Sequence, residues 1–248
     1  MKRKSAIITF LLGLLLANLW VAPPVVWAED TTATSVERAK AALASGRASE
    51  AIEILSRLIS SMPESDLYYQ RGLAYSANSM QNAAINDFDK AISMDPTQAA
   101  YYFRRGLSWH RQGHFQNAVD DLTSALDLDP MTPYAESYRA RALFNLGRPA
   151  KAMADLLSAI KKNPGSSSLH KLKGDILITH GNFAEAIKDY DRAIELGARD
   201  AAAYNNRGVA LANVGRTKEA MEDIGRAMEI VESPPSTTRP PGISGTPW

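Results

Sequence analysis

Cysteine is absent from all 248 residues. That excludes disulfide staples, thiolate-held zinc, iron–sulfur clusters, thiol catalysis and a lipid-bearing cysteine. Histidine is scarce as well, at four residues, which leaves little material for a metal centre or an acid–base pair. No excess of one charge exists: 28 Lys+Arg against 27 Asp+Glu give a formal +1, so no basic surplus points to nucleic acid. The chain contains no dinucleotide fingerprint, P-loop, HExxH or EF-hand loop. What remains, 45% hydrophobic and 22% charged residues, is the composition of a folded chain with a core. Its length admits one or two domains.

The N-terminus has an uncharged run, Ala6–Val21. Lys2, Arg3 and Lys4 precede it, Pro23 and Pro24 follow, and Val26-Trp27-Ala28 stand before Glu29-Asp30. A basic start, an apolar stretch, a helix-breaking pair and small residues predict a secretory signal over residues 1–28, cut after Ala28. The alternative is an uncleaved anchor, for which the run is short of the ~20 residues a span needs. Removing residues 1–28 takes away three basic residues and no acidic one, turning +1 into −2. The expected location is the periplasm, with secretion or N-terminal anchoring as alternatives. A chain without cysteine loses nothing in oxidising surroundings.

The main signal is internal repetition. A shift of 34 residues aligns Gly72, Gly106, Ala140, Gly174 and Gly208. The same shift aligns Ala84, Ala118, Ala152, Ala186 and Ala220, and again Ala91, Ala125, Ala159, Ala193 and Ala227. Bulky columns read Phe88, Leu122, Leu156, Tyr190, Ile224 and Tyr75, Trp109, Leu143, Leu177, Leu211. Gly113, Gly147, Gly181 and Gly215 recur mid-repeat, and Pro96, Pro130 and Pro164 at its end.

One unit, Ala99–Pro130, shows the physics. Tyr102, Gly106 and Trp109 share one helical face. Gly113 ends that helix, since glycine tolerates the left-handed cap conformation. Ala118, Leu122, Ala125 and Leu126 form the apolar stripe of a second helix, which Asp129-Pro130 stops. Small residues at Gly106, Ala118 and Ala125 let the two backbones approach. Such an antiparallel hairpin cannot bury its faces alone, so neighbours must stack.

On these columns the chain resembles the tetratricopeptide repeat (TPR) family over about residues 33–232. The resemblance implies an all-α fold: a right-handed superhelix, or solenoid, of antiparallel helix hairpins in about six repeats. It departs from the pattern at the ends. The first repeat has Ala39 in the glycine column and lies 33 residues before the next, and the fifth and sixth have Ala198 and Glu232 where the family has proline. From Ser233 to Trp248 five prolines with Ser, Thr and Gly predict a disordered tail, a linker or a short recognition segment.

Two further columns recur. Arg71, Arg105, Arg139, Lys173 and Arg207 precede the glycine column, and Asp87, Asp121, Asp155, Asp189 and Asp223 follow sixteen residues later. An ion pair inside each hairpin is the favoured reading over independent solvated charges, worth ~0–1 kcal/mol where exposed.

Chemistry-bearing motifs are few. Ser158–Lys161 and Ser168–Lys171 match SxxK without the companion motifs of that enzyme class. His110 and His114 are separated by the Gly113 break and need not share a face. The reading is therefore a non-enzyme with no cofactor and no metal. The family resemblance implies that first helices line a concave groove holding a peptide. The residues assigned to that groove are Tyr69, Phe103, Arg104, Arg111, Tyr138, Arg141, Phe144 and Asn206. Tyr and Arg are the types that dominate binding energy, and Arg can hold a carboxylate bidentately. Lys171 and Asn206 match the carboxylate clamp of some relatives, but Asp175 stands where Asn is expected, which argues against that clamp. The last helix, about Thr217–Val231, carries Ala220, Met221, Ile224, Met228 and Ile230, an apolar face with no capping helix after it and a candidate for self-association. The expected function is an exported scaffold that binds another protein in an envelope, secretion or export assembly. The alternative is a non-catalytic adaptor that recruits a periplasmic hydrolase or peptidase. No nucleic acid is expected as a partner, and membrane only if the leader stays uncut.

Overall fold

The computed structural model describes residues 32–198 and 200–232; the expected leader and proline-rich tail lie outside the described residues. Twelve helices and no strand occur among them: α1 (Thr32–Ala44), α2 (Ala48–Ser61), α3 (Ser65–Ala77), α4 (Gln81–Met94), α5 (Ala99–Arg111), α6 (Phe115–Leu128), α7 (Ala135–Asn145), α8 (Pro149–Lys162), α9 (Ser167–Thr179), α10 (Phe183–Glu195), α11 (Ala201–Asn213) and α12 (Thr217–Glu232). Consecutive helices pack in pairs, making six hairpins. Each odd-numbered helix also touches the next odd one, whereas no two even-numbered helices meet. Odd helices thus form the inner wall of the stack and even helices the outer.

The repeated columns explain the hairpin. At its turn Gly113 takes φ +79°, and the N–H of His114 donates to the carbonyl of Trp109 at 3.0 Å, closing the first helix. Ser79 stands in the same column and still takes φ +61°, a conformation that costs a residue with a side chain about 1–2 kcal/mol. Second helices end differently. Met62, Asp95, Asp129 and Asn163 leave the helical conformation just before Pro63, Pro96, Pro130 and Pro164. In the fifth repeat, where Ala198 replaces proline, Gly197 takes φ +92° and Ala198 donates to the carbonyl of Ala193 at 2.9 Å, so a left-handed glycine ends the helix instead.

Close packing follows from the small residues. Phe88, Leu122, Leu156 and Tyr190 are wholly buried in their hairpins. A Cβ on Gly72 would lie 2.6 Å from the Phe88 ring, and one on Gly174 would lie 2.8 Å from the Tyr190 ring. The glycine is the hollow that receives the ring.

The expected ion pairs form in all five hairpins that carry them. Arg105 holds Asp121 through Nε and Nη2 at 2.8 and 2.6 Å, and Arg71–Asp87, Arg139–Asp155 and Arg207–Asp223 repeat the two-bond geometry. Lys173 Nζ donates to Asp189 at 2.6 Å. These are not solvated pairs. The aspartate side chains are 4–14% exposed, so removing a cation leaves a desolvated carboxylate, a loss of about 3–5 kcal/mol. Arg71 and Arg139 are held charged above the ordinary guanidinium range, the aspartate hydrogen bond outweighing burial.

The same arginines also reach backwards, which links one hairpin to the one before. Arg105 Nη1 donates to Asp89 at 2.6 Å and Arg207 Nη1 to Asp191 at 2.6 Å. Arg71 Nη1 reaches Ser56 Oγ at 3.1 Å, and Arg139 Nη1 reaches Thr123 Oγ1 at 3.2 Å. Only one junction lacks the tie. Lys173 has a single head group, and the matching position is Leu157, 51% exposed. There α8 and α9 meet least extensively of all consecutive helix pairs.

Candidate functional site

The inner wall opens at that loose junction. A cleft of about 470 Å³ separates α7 from α9, lined by Tyr134, Tyr138, Arg141, Lys162, Ser168 and Leu169. A second, of about 370 Å³, shares Arg141 and Ser168 with it and continues to Phe144, Lys171 and Asp175. Two physical features shape the entrance. Pro133 occupies the position where the repeat would begin the seventh helix, which starts instead at Ala135. Tyr134, just before it, is held at φ +64° with its side chain half in solvent.

The residues assigned to the groove from sequence divide into three groups. Tyr138, Arg141 and Phe144 gather on α7 around the two clefts. Phe103 is packed inside and Tyr69 is half-buried. Phe103 is 7% exposed and forms the floor beneath Tyr138, ring centroids 6.2 Å apart, while Tyr69 lies between Phe88 and Tyr101. Leu107 is buried with Phe103, because successive odd helices pack on each other and leave only a narrow free stripe. Arg104 is half-buried on that stripe, and Arg111, at the end of α5, donates to Ser76 Oγ at 2.6 Å. Asn206, two hairpins on from α7, lines a further cleft of about 270 Å³ with Phe144 and donates to Asp175.

That internal network accounts for the clamp residues. Asp175 Oδ1 accepts from Asn206 Nδ2 at 2.9 Å and from the Tyr190 hydroxyl at 2.6 Å. Burial and the Asp175 hydrogen bond push the Tyr190 phenol well above the ordinary range. Lys171 Nζ is 3.9 Å from Asp175 and 4.0 Å from Asp200. The chain's own carboxylate occupies the place a ligand carboxylate would need.

Cations near the clefts are mostly answered. Lys162 pairs with Glu136 at 2.9 Å, and Ser158 Oγ donates to the same carboxylate at 2.8 Å. Arg104 and Arg141 differ: neither side chain makes an ion pair or a hydrogen bond among the described residues. His110 Nε2 is a buried ring nitrogen without a hydrogen-bond partner, its imidazole edge-on to Phe115 and Tyr138. Burial, then the charges of Arg141 and Arg111, hold its pKa below the ordinary histidine value, so the ring is neutral near pH 7. His114 packs instead on Trp109, and the two rings do not converge. Among the described residues no three ligating side chains gather as a metal site. Ser168 Oγ lies 3.1 Å from Ser166 Oγ.

Sequence reasoning found the α7 residues from helix phase. It missed the splayed junction, whose signal was legible: Lys173 for arginine and Leu157 for the acceptor column.

Four stretches, residues 36–99, 69–130, 103–167 and 171–236, match the family model described as tetratricopeptide repeat. Among solved structures, the chain is similar to YrrB, described as a TPR protein with an unusual peptide-binding site, at 21% identity over 73% of this chain and 93% of that one, TM-score 0.62. It is similar to pilF of Pseudomonas aeruginosa at 17% identity, over 83% and 92%, TM-score 0.69. It is similar also to MamA of Desulfovibrio magneticus RS-1 at 17% identity, over 69% and 97%, TM-score 0.64. These likenesses show a shared fold. No curated protein matches the chain.

Proposed function

The chain belongs to the tetratricopeptide repeat family, and from that premise we propose that it is an exported interaction scaffold which holds an extended, carboxylate-bearing segment of another protein in the clefts between α7 and α9. The carrying observation is Arg141, a cation at the shared wall of both clefts whose side chain has no partner among the described residues. Burying such a cation against a carboxylate adds paired, directed hydrogen bonds where the apo surface has none. Tyr134, Tyr138 and Phe144 supply the aromatic area around it. A structural neighbour described as having an unusual peptide-binding site is in keeping with this reading. The basic-apolar N-terminal sequence supports export to the periplasm.

The work done is recognition. A wall of packed helices presents its groups in fixed positions, so the ordering cost falls on the incoming segment. An array of extended peptides of varied charge tests the reading. Arg141→Ala should weaken capture of acidic peptides about tenfold or more, the value of a charge-assisted pair, with melting unchanged because the side chain is exposed and unpartnered. Tyr138→Ala should also weaken capture, with some loss of stability from its contacts to Phe103 and His110. Equal capture by wild type and Arg141→Ala would place the ligand elsewhere.

A further inference from the structure

The last hairpin ends the stack with an open slot. Its bulky column residue, Ile224, is 42% exposed where Phe88, Leu122, Leu156 and Tyr190 are wholly buried by the next helix. Between α11 and α12 lies a cleft of about 430 Å³, lined by Ala202, Asn205, Ile224, Ala227, Met228 and Val231. The exposed large apolar residues of α12 are Met221, Ile224, Met228 and Val231, at 69%, 42%, 58% and 71%. Their spacing is three, four and three residues, the seam of two helices packing knobs into holes. Ile230, counted with this face from sequence, is half-buried and off the stripe.

Three features identify the occupant. Gly225 stands in the column where earlier hairpins carry Asp89, Thr123 or Asp191 to receive the next arginine, so this end offers no acceptor for a further hairpin of the same kind. Nothing lies within 4 Å of where a Gly225 side chain would begin. Charge supplies the third. Lys218 lies in the first turn of α12 beside Glu219, which Arg216 holds, while Glu229 and Glu232 lie in the last turn with no base beside them, where the helix dipole disfavours acid.

We infer that the occupant is α12 of a second copy, packed antiparallel about a two-fold axis. Such pairing sets Met221 against Val231 and Ile224 against Met228 of the other copy. It brings the two Gly225 positions together at the axis, where the missing side chains allow close crossing. It also sets each Lys218 beside the other copy's Glu232, and so gives the acidic last turn a cation. Both surfaces are the same patch, as a two-fold contact requires.

Sedimentation of the chain with its natural termini, from about 1 to 100 µM, tests this within the range where modest interfaces assemble. The expected result is a concentration-dependent dimer. Met228→Glu should yield a monomer with unchanged melting, since that side chain is mostly exposed. Lys218→Glu should weaken the dimer by about tenfold through like-charge contacts, and adding Glu232→Lys should restore it. A monomer throughout overturns the inference, as does a dimer indifferent to Met228→Glu. So does a monomer that dimerises only when residues 233–248 are deleted, which would assign the slot to the chain's own tail.

Discussion

At the α4–α5 junction Arg105 reaches both ways, to Asp121 in its own hairpin and Asp89 in the one before. At the α8–α9 junction Lys173 reaches only Asp189, and the backward position is Leu157. The alanine columns are alike at both places, with Ala140 standing in the glycine column of the hairpin before the second. The difference lies between hairpins: the first junction is packed closely and the second is splayed, with clefts beside it. Closure of a repeat rests on the small-residue columns and the cation–Asp pair, while adhesion between repeats needs the arginine's further reach to an acceptor in the hairpin before. An array can open a binding cleft by losing the second while keeping the first. The lost tie also leaves room for His170, which bonds Asp189 at 3.0 Å and lies 3.3 Å from the carbonyl of Pro164.

The largest contrast should come from the cations themselves. Arg105→Leu strands the buried Asp121 carboxylate and breaks the junction contact to Asp89, so urea unfolding should lose about 3–5 kcal/mol. Lys173→Leu should lose clearly less, because Asp189 keeps His170. Equal losses would show that the backward reach contributes nothing. A smaller effect should follow from building the missing tie. Leu157→Asp combined with Lys173→Arg should stabilise by up to about 1 kcal/mol, the range of a half-exposed pair. Hydrogen exchange should slow in α8 and α9, and peptide capture should fall as the cleft narrows. Unchanged exchange would mean that something other than the tie column sets the splay.

The smallest effect concerns His110. Its folded pKa is lowered, by burial first and then by Arg141 and Arg111, so the unfolded chain takes up its proton more readily. Stability from this group is whole above the unfolded value of 6.5 and is lost as pH falls below it toward the folded value. His110→Gln should reduce the drop in melting temperature between about pH 7.5 and 5.5.

Much of the fold was legible because a repeat states the same instruction several times. Five small residues in the Gly106 column and five alanines in the Ala118 column, in register, specify a hairpin more firmly than any one propensity does. The Arg–Asp columns were legible as pairs, but their burial was not. Sequence spacing shows that two side chains share a height on facing helices, and only the packed neighbour shows that water is excluded from them. For the candidate site, helix phase singled out Tyr138 and Arg141. It also included Phe103 and Tyr69, because a helix wheel drawn for one helix does not know that the adjacent inner helix covers part of its face.

The sequence by itself determined the hairpin, its turns and the period of stacking, since these rest on contacts within about one repeat. Tertiary structure alone decided which inner-face residues stay open, which cation is left without a partner, and where the stack parts. Those are properties of the gaps between hairpins, where the outcome depends on whether a side chain from one repeat finds an acceptor on the next.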